Sequence, residues 1–64
     1  MTLGEVKRFM NKRVLYDGDS YVLRACRLFL DPVYHEFKYS AEIVSVKTNA
    51  VMIVPLEKIE GEGI

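Results

Sequence analysis

The sequence predicts a mainly β protein, with one short N-terminal helix followed by a strongly bent antiparallel meander of four or five strands. β-branched and aromatic residues dominate from position 12 onward, and turn signals divide that stretch into strand-sized segments. Helical spacing of apolar residues occurs near the N-terminus. With 64 residues, half of them hydrophobic, the chain is predicted to form a single domain over residues 1–64 around one small core.

The helix is predicted at residues 3–10. Thr2 and Glu5 match a capping box, in which each residue bonds the backbone of the other, and Asn11 can supply a left-handed stop. The apolar stripe of this helix consists of Leu3, Val6, Phe9 and Met10. Because about two turns are not stable alone in water, the helix must dock this stripe on the rest of the protein.

Four strands are predicted, at residues 13–16, 20–30, 36–47 and 50–54. The Asp17-Gly18 pair between the first two is a strong hairpin signal. In the second strand the apolar residues change from odd to even positions after about Ala25, and in the third a similar change occurs near Ile43. Strict alternation cannot produce such changes, so each predicts a bulge or a sharp bend.

The end of the chain is open to two interpretations. Pro55 interrupts the fourth strand, and residues 55–60 fit either a single helical turn or a short last strand. The Gly-rich tail, residues 61–64, is predicted to fray.

A short strand, an Asp-Gly turn and a long bent strand follow one another in the segment KRVLYDGDSYVLRAC, and a closing strand and turn follow in VMIVPLEKIE. This order resembles the SH3-like small barrels, including Tudor-like and KOW-like modules, over residues 12–60. The resemblance implies a sheet that curls onto itself into a small barrel. It implies a fold more than a function, because such scaffolds host unrelated activities.

Several function classes are disfavoured. Cys26 is the only cysteine and His35 the only histidine, so a zinc site lacks ligands, and neither residue has the partners that catalysis requires. We expect Cys26 to pack in the sheet and His35 to lie in a solvated loop. The glycines form no phosphate-binding loop, and we expect no cofactor and no enzymatic activity. The lone cysteine and the lack of a long apolar run favour a cytoplasmic protein without a membrane partner.

The formal net charge of zero conceals an uneven distribution. Residues 1–30 carry six basic and three acidic side chains, a net charge of +3, and residues 31–64 carry three basic and six acidic ones, a net charge of −3. A nucleic-acid site could be formed by the basic cluster Lys7, Arg8, Lys12, Arg13 and Arg24. The favoured alternative is a solvated helix face plus cross-strand pairs of Arg24 or Arg27 with Glu36 or Glu42.

The aromatic residues form the other candidate site. The phenylalanines are predicted to lie in the core, and they are Phe9, Phe29 and Phe37. The tyrosines flank the turns, where they either present a binding surface or cap the ends of the barrel, and they are Tyr16, Tyr21, Tyr34 and Tyr39. The sequence therefore predicts a non-catalytic interaction module that binds a protein partner or itself through an exposed strand edge and this tyrosine-rich surface, with a nucleic-acid-binding barrel as the alternative.

Overall fold

A computed structural model describes residues 1–62 of the chain, which form one helix, five strands and a 3₁₀ turn. The helix α1 spans Leu3–Phe9, and the 3₁₀ turn spans Leu56–Lys58. The strands are β1 Arg13–Tyr16, β2 Asp19–Asp31, β3 Glu36–Ser45, β4 Val51–Pro55 and β5 Glu60–Gly61. All neighbouring strands pair antiparallel in the order β4-β3-β2-β1-β5. The mainly β class is thus confirmed, but within residues 1–62 no pairing joins β4 to β5 and the sheet is not closed.

Helix α1 begins at Leu3 as predicted and ends at Phe9, one residue before the predicted end at Met10. The Thr2 N–H donates to Glu5 Oε1 (3.0 Å), and the Glu5 N–H donates to the Thr2 carbonyl (3.1 Å). The first of these bonds is the main reason why the pKa of Glu5 lies below its usual value. After the helix, Asn11 adopts the left-handed conformation with φ of 63°, which confirms the predicted stop.

The bend of β2 is a β-bulge at Arg24. Leu23 is paired with Ile43 and Ala25 with Glu42, so Arg24 is the extra residue on its strand. Thirteen residues of straight strand would span about 40 Å, whereas the longest extent of the molecule is 35 Å. The predicted change of apolar face in this strand is confirmed, because the bulge returns Cys26 to the face that carries Leu23.

Two predicted features of β3 are wrong. The strand ends at Ser45 rather than residue 47, because the Ser45 hydroxyl accepts hydrogen bonds from the N–H groups of Lys47 and Thr48 and turns the chain. The change of face near Ile43 is absent, since pairing between β3 and β4 runs without a register shift. Val46 lies beyond the strand, where alternation no longer applies.

Both interpretations of residues 55–60 hold, one after the other, because a 3₁₀ turn follows Pro55 and β5 follows that turn. Gly61 pairs with Val14, and the Glu62 N–H donates to the Arg13 carbonyl (3.3 Å). Glu62 also accepts a 2.8 Å hydrogen bond from the hydroxyl of Ser20. The predicted fraying is therefore wrong for residues 61–62, and residues 63–64 lie outside the described part of the chain.

The core lies between α1 and the concave face of the sheet. Its buried side chains are Val6, Phe9, Val14, Leu23, Ala41, Ile43, Val54, Leu56 and Ile59. The core positions predicted for Phe29 and Phe37 are wrong, since these residues are 43% and 69% exposed. Among the described residues, no helix is long and apolar enough to cross a membrane.

Candidate functional site

The strands β2 and β3 extend beyond their neighbours as a two-stranded ribbon. β1 pairs with β2 only as far as Val22, and β4 reaches β3 only from Ser40 onward. We call residues 27–40 the distal ribbon, which comprises the end of β2, the start of β3 and the loop 32–35 between them. Because β1 and β4 have four and five residues against thirteen and ten in β2 and β3, the core ends before the hairpin does.

One face of the distal ribbon is apolar and exposed. Residues paired directly across an antiparallel ladder share a face, and here Leu28 is paired with Tyr39 and Leu30 with Phe37. This face continues the one that carries Ala41, which is fully buried in the core. Leu28, Leu30 and Phe37 are each at least half exposed, so they lie outside the part of the sheet that α1 covers.

The opposite face carries paired charges. Arg27 Nη2 lies 3.1 Å from Glu42 Oε1, which confirms one of the predicted cross-strand pairs. Lys38 Nζ lies 3.2 Å from Asp31 Oδ2. The two faces of the ribbon therefore differ. One carries both ion pairs together with the exposed Phe29, and the other is an apolar face that residues 1–62 leave uncovered.

The ribbon tip is held in one conformation by Asp31. Its Oδ1 accepts hydrogen bonds from the N–H groups of Val33 (2.8 Å) and Tyr34 (3.3 Å). These bonds, the one from Val33 first, together with the Lys38 ammonium, hold the pKa of Asp31 below its usual value. His35 closes the loop with φ of 54°, and the Lys38 ammonium lies 5.3 Å from the centre of the Tyr34 ring.

The outer edge of β3 is open over residues 36–39, where β4 does not reach it. The Ser45 N–H donates towards the β4 side, to the Ala50 carbonyl (2.9 Å). Since the direction of backbone hydrogen bonding alternates along an antiparallel strand, the N–H and C=O of Phe37 point to this same side. No strand within residues 1–62 receives them, and we call residues 36–39 the open edge.

A groove of about 700 Å³ runs beside the open edge. Its apolar lining includes Met1, Leu3, Phe37, Tyr39, Pro55 and Leu56. The wall formed by the N-terminus is fixed, because the Met1 ammonium donates to the carbonyls of Ile59 (2.7 Å) and Leu56 (3.3 Å). The open edge thus offers unpaired backbone groups next to a preformed groove, whose mainly apolar lining also includes the charged residues Glu36, Lys38 and Glu57.

The structure divides the predicted tyrosine-rich surface into two parts. Tyr16 and Tyr21 pack edge to face, with ring centres 6.1 Å apart, and are half-buried against the core. Tyr34 and Tyr39 lie on the distal ribbon and are exposed. The positions of Tyr21 and Leu28, the partner of Tyr39, differ by seven residues along β2, about 23 Å of strand. The four rings therefore do not form one surface.

The residues of the predicted basic cluster are all exposed. The Leu23 N–H donates to the Lys12 carbonyl (3.1 Å), and Arg13 pairs with Val22, so the backbone of Lys12 and Arg13 lies beside the bulge residue Arg24. Lys7 and Arg8 lie on the exposed side of α1. Neither of the ion pairs found within residues 1–62 includes a member of this cluster.

Cys26 and His35 lie far apart. Five residues of β2 separate Cys26 from Asp31 at the base of the loop that carries His35, about 16 Å of strand. Burial raises the pKa of the Cys26 thiol, which disfavours the reactive thiolate. No group of three metal-ligating side chains occurs in the described part of the chain.

Sequence reasoning missed Leu28, Leu30 and Phe37 as surface residues. The signal that could have identified them is the mismatch in strand length, since two long predicted strands lay beside two short ones. Where two paired strands extend beyond the neighbouring strands, their side chains are no longer buried by the rest of the protein, whatever their residue types.

Comparison with family models, curated proteins and solved structures gives no match for this chain. The functional assignment therefore depends on the geometry of the site.

Proposed function

We propose that the protein is a non-catalytic interaction module that binds an extended polypeptide, from a partner protein or from another copy of itself, along the open edge of β3. The observation that carries this proposal is the combination of unpaired backbone groups at Phe37 with the adjoining apolar groove. An added strand takes its affinity from main-chain hydrogen bonds and its specificity from the side chains that alternate into the groove.

The strand order supports this proposal, and it also supports an SH3-like scaffold. In the described chain β1 lies between β2 and β5, β2 bends at Arg24, and a 3₁₀ turn joins β4 to β5. This arrangement frees one end of the β2–β3 hairpin, because β4 turns away at Pro55. The open edge alternates the charged residues Glu36 and Lys38 with Phe37 and Tyr39, so an added strand would meet apolar side chains on one face of the edge and charges on the other.

Selection from a random peptide library displayed on phage tests the proposal. We expect enriched peptides to carry apolar residues at alternate positions and to bind in solution with micromolar affinity. Phe37→Ser removes an exposed ring from the open edge and should weaken this binding about tenfold or more. Val51→Ser is the matched control, because Val51 is 60% exposed on β4, outside the lining of the groove. A library that yields no binder, or peptides that bind Phe37→Ser as tightly as the natural chain, would overturn the proposal.

A second candidate function is nucleic-acid binding by the basic cluster. The observation in its favour is that the backbone of Lys12 and Arg13 lies beside the bulge residue Arg24, and that all of these side chains, together with Lys7 and Arg8 on α1, are exposed. Titration with single-stranded and duplex oligonucleotides at low salt tests it. If it holds, the Arg24→Gln variant binds more weakly and the dependence of affinity on salt becomes less steep by about one contact. A dissociation constant no tighter than about 10⁻⁴ M would exclude it.

A further inference from the structure

We infer that the polypeptide bound at the open edge is the same segment of a second copy, so that two chains join through their β3 strands in a two-fold symmetric dimer. This inference rests on the proposed function and names its ligand. The reasons lie in the register that the open edge permits, the charges at that register and the area available.

Two-fold antiparallel pairing of the open edge with itself is centred on one of its four residues. Centring on Tyr39 is blocked, because it would place Phe37 opposite Ala41, which already pairs with Val54. Phe37 has its N–H and C=O directed outward, and in one register it pairs with Phe37 of the other copy through both groups. In that register Glu36 of each copy lies opposite Lys38 of the other. Registers centred on Lys38 or on Glu36 place two like charges opposite each other and are disfavoured by their repulsion.

The register centred on Phe37 also brings the ribbon tip of each copy to the groove of the other. Since Glu36 of one chain lies opposite Lys38 of its partner, the loop 32–35 that precedes Glu36 comes next to Tyr39 and to the end of β4 at Pro55. The tip residues Val33 and Tyr34 are 73% and 68% exposed, so their apolar surface is available for contact with the partner's groove. Each copy thus contributes both a tip and a groove, as an isologous interface requires.

The available area matches what a dimer needs. The side chains concerned are between 38% and 73% exposed, and they are Leu3, Val33, Tyr34, Phe37 and Tyr39. With about 150–250 Å² for a fully exposed large side chain, they offer on the order of 600 Å² of surface per copy. Two copies together reach about 1,200 Å², the lower end of the range for stable, specific interfaces. The formal net charge of zero removes long-range repulsion between copies.

Charge-swap variants test the inference by sedimentation equilibrium. We expect the natural chain to dimerise at micromolar concentration. Glu36→Lys places lysine opposite Lys38 twice per dimer, and Lys38→Glu places glutamate opposite Glu36 twice, so each should weaken dimerisation about tenfold or more. The double variant E36K/K38E restores opposite charges across the interface and should recover the dimer.

Two controls separate this effect from net charge. Glu60→Lys and Lys47→Glu change the net charge by the same amounts at exposed positions outside the open edge, and both should leave the dimer intact. Circular dichroism of every variant confirms that the fold is retained. A natural chain that stays monomeric, a dimer that the single swaps leave unchanged, or a double variant that is not rescued would each overturn the inference. Library peptides that bind a monomeric chain at Phe37 would overturn the dimer while leaving the proposed function in place.

Discussion

Gly61 of β5 lies directly beneath the aromatic ring of Phe9. A Cβ atom at position 61 would stand 2.6 Å from Phe9 Cε1, closer than side-chain atoms pack in real proteins. The Phe9 ring therefore packs directly against the backbone of Gly61, and this contact holds the end of α1 against β5. Glycine is required at position 61 by packing, since its φ is not in the left-handed region.

The first prediction concerns this contact. Gly61→Ala forces the Phe9 ring or β5 to move and should lower the free energy of unfolding by about 1–3 kcal/mol. Gly4→Ala is the matched control, because its new methyl group would approach only the Thr2 hydroxyl oxygen, at an ordinary contact distance of 4.0 Å, and should stabilise the protein by about 0.5–1 kcal/mol. Urea unfolding followed by circular dichroism measures both. If Gly61→Ala and Gly4→Ala changed the free energy of unfolding equally, packing of the Phe9 ring would not require glycine at position 61.

The second prediction separates the core phenylalanine from the exposed ones. Phe9 is 6% exposed and Phe37 is 69% exposed. Phe9→Ala should cost about 3–5 kcal/mol, most of the stability of a domain this small. Phe37→Ala should cost less than about 1 kcal/mol. Unfolding at low micromolar concentration, where self-association contributes least, makes the comparison, and a cost at Phe37 as large as that at Phe9 would contradict the exposed position.

The third prediction concerns pH. Hydrogen bonds from Val33 and Lys38 lower the pKa of Asp31 in the folded state. The stabilisation is therefore fully present above the unfolded-state pKa of about 3.9 and is lost as the pH falls through the lower folded-state pKa. We expect the amide resonances of Val33 and Tyr34 to titrate together in this acidic range. Lys38→Met should move their midpoint to higher pH, and Asp31→Asn should abolish the titration.

The fourth prediction concerns the β1–β2 hairpin. Asp17 and Gly18 both have positive φ, 51° and 83°, as a two-residue turn of this kind requires. Gly18→Ala meets no atom but strains the backbone, so it should cost about 1–2 kcal/mol. Asp17→Asn keeps a residue that tolerates this conformation and should leave stability nearly unchanged. Thermal unfolding of the two variants tests the difference, and a Gly18→Ala variant as stable as the natural chain would contradict the turn geometry.

The local features of this fold are readable from the sequence. The capping pair Thr2 and Glu5, the stop at Asn11, the Asp17-Gly18 turn and the displaced alternation after Ala25 all predicted what the structure contains. Each is decided within a few residues by backbone conformation and hydrogen bonding. Such preferences act in the same way whatever the rest of the chain does.

The tertiary structure alone decided which apolar side chains are covered. Alternation predicted the face on which Phe37 lies, but its exposure results from β4 ending at Pro55, which is a property of another strand. The separation of Tyr21 from Tyr39 and the pairing of Gly61 with Val14 likewise depend on register between distant segments. The sequence by itself determined the mainly β class, the short helix and the turns, because these follow from local chemistry. The open edge, the groove and the ribbon came only from the tertiary structure, because burial depends on how far neighbouring strands reach.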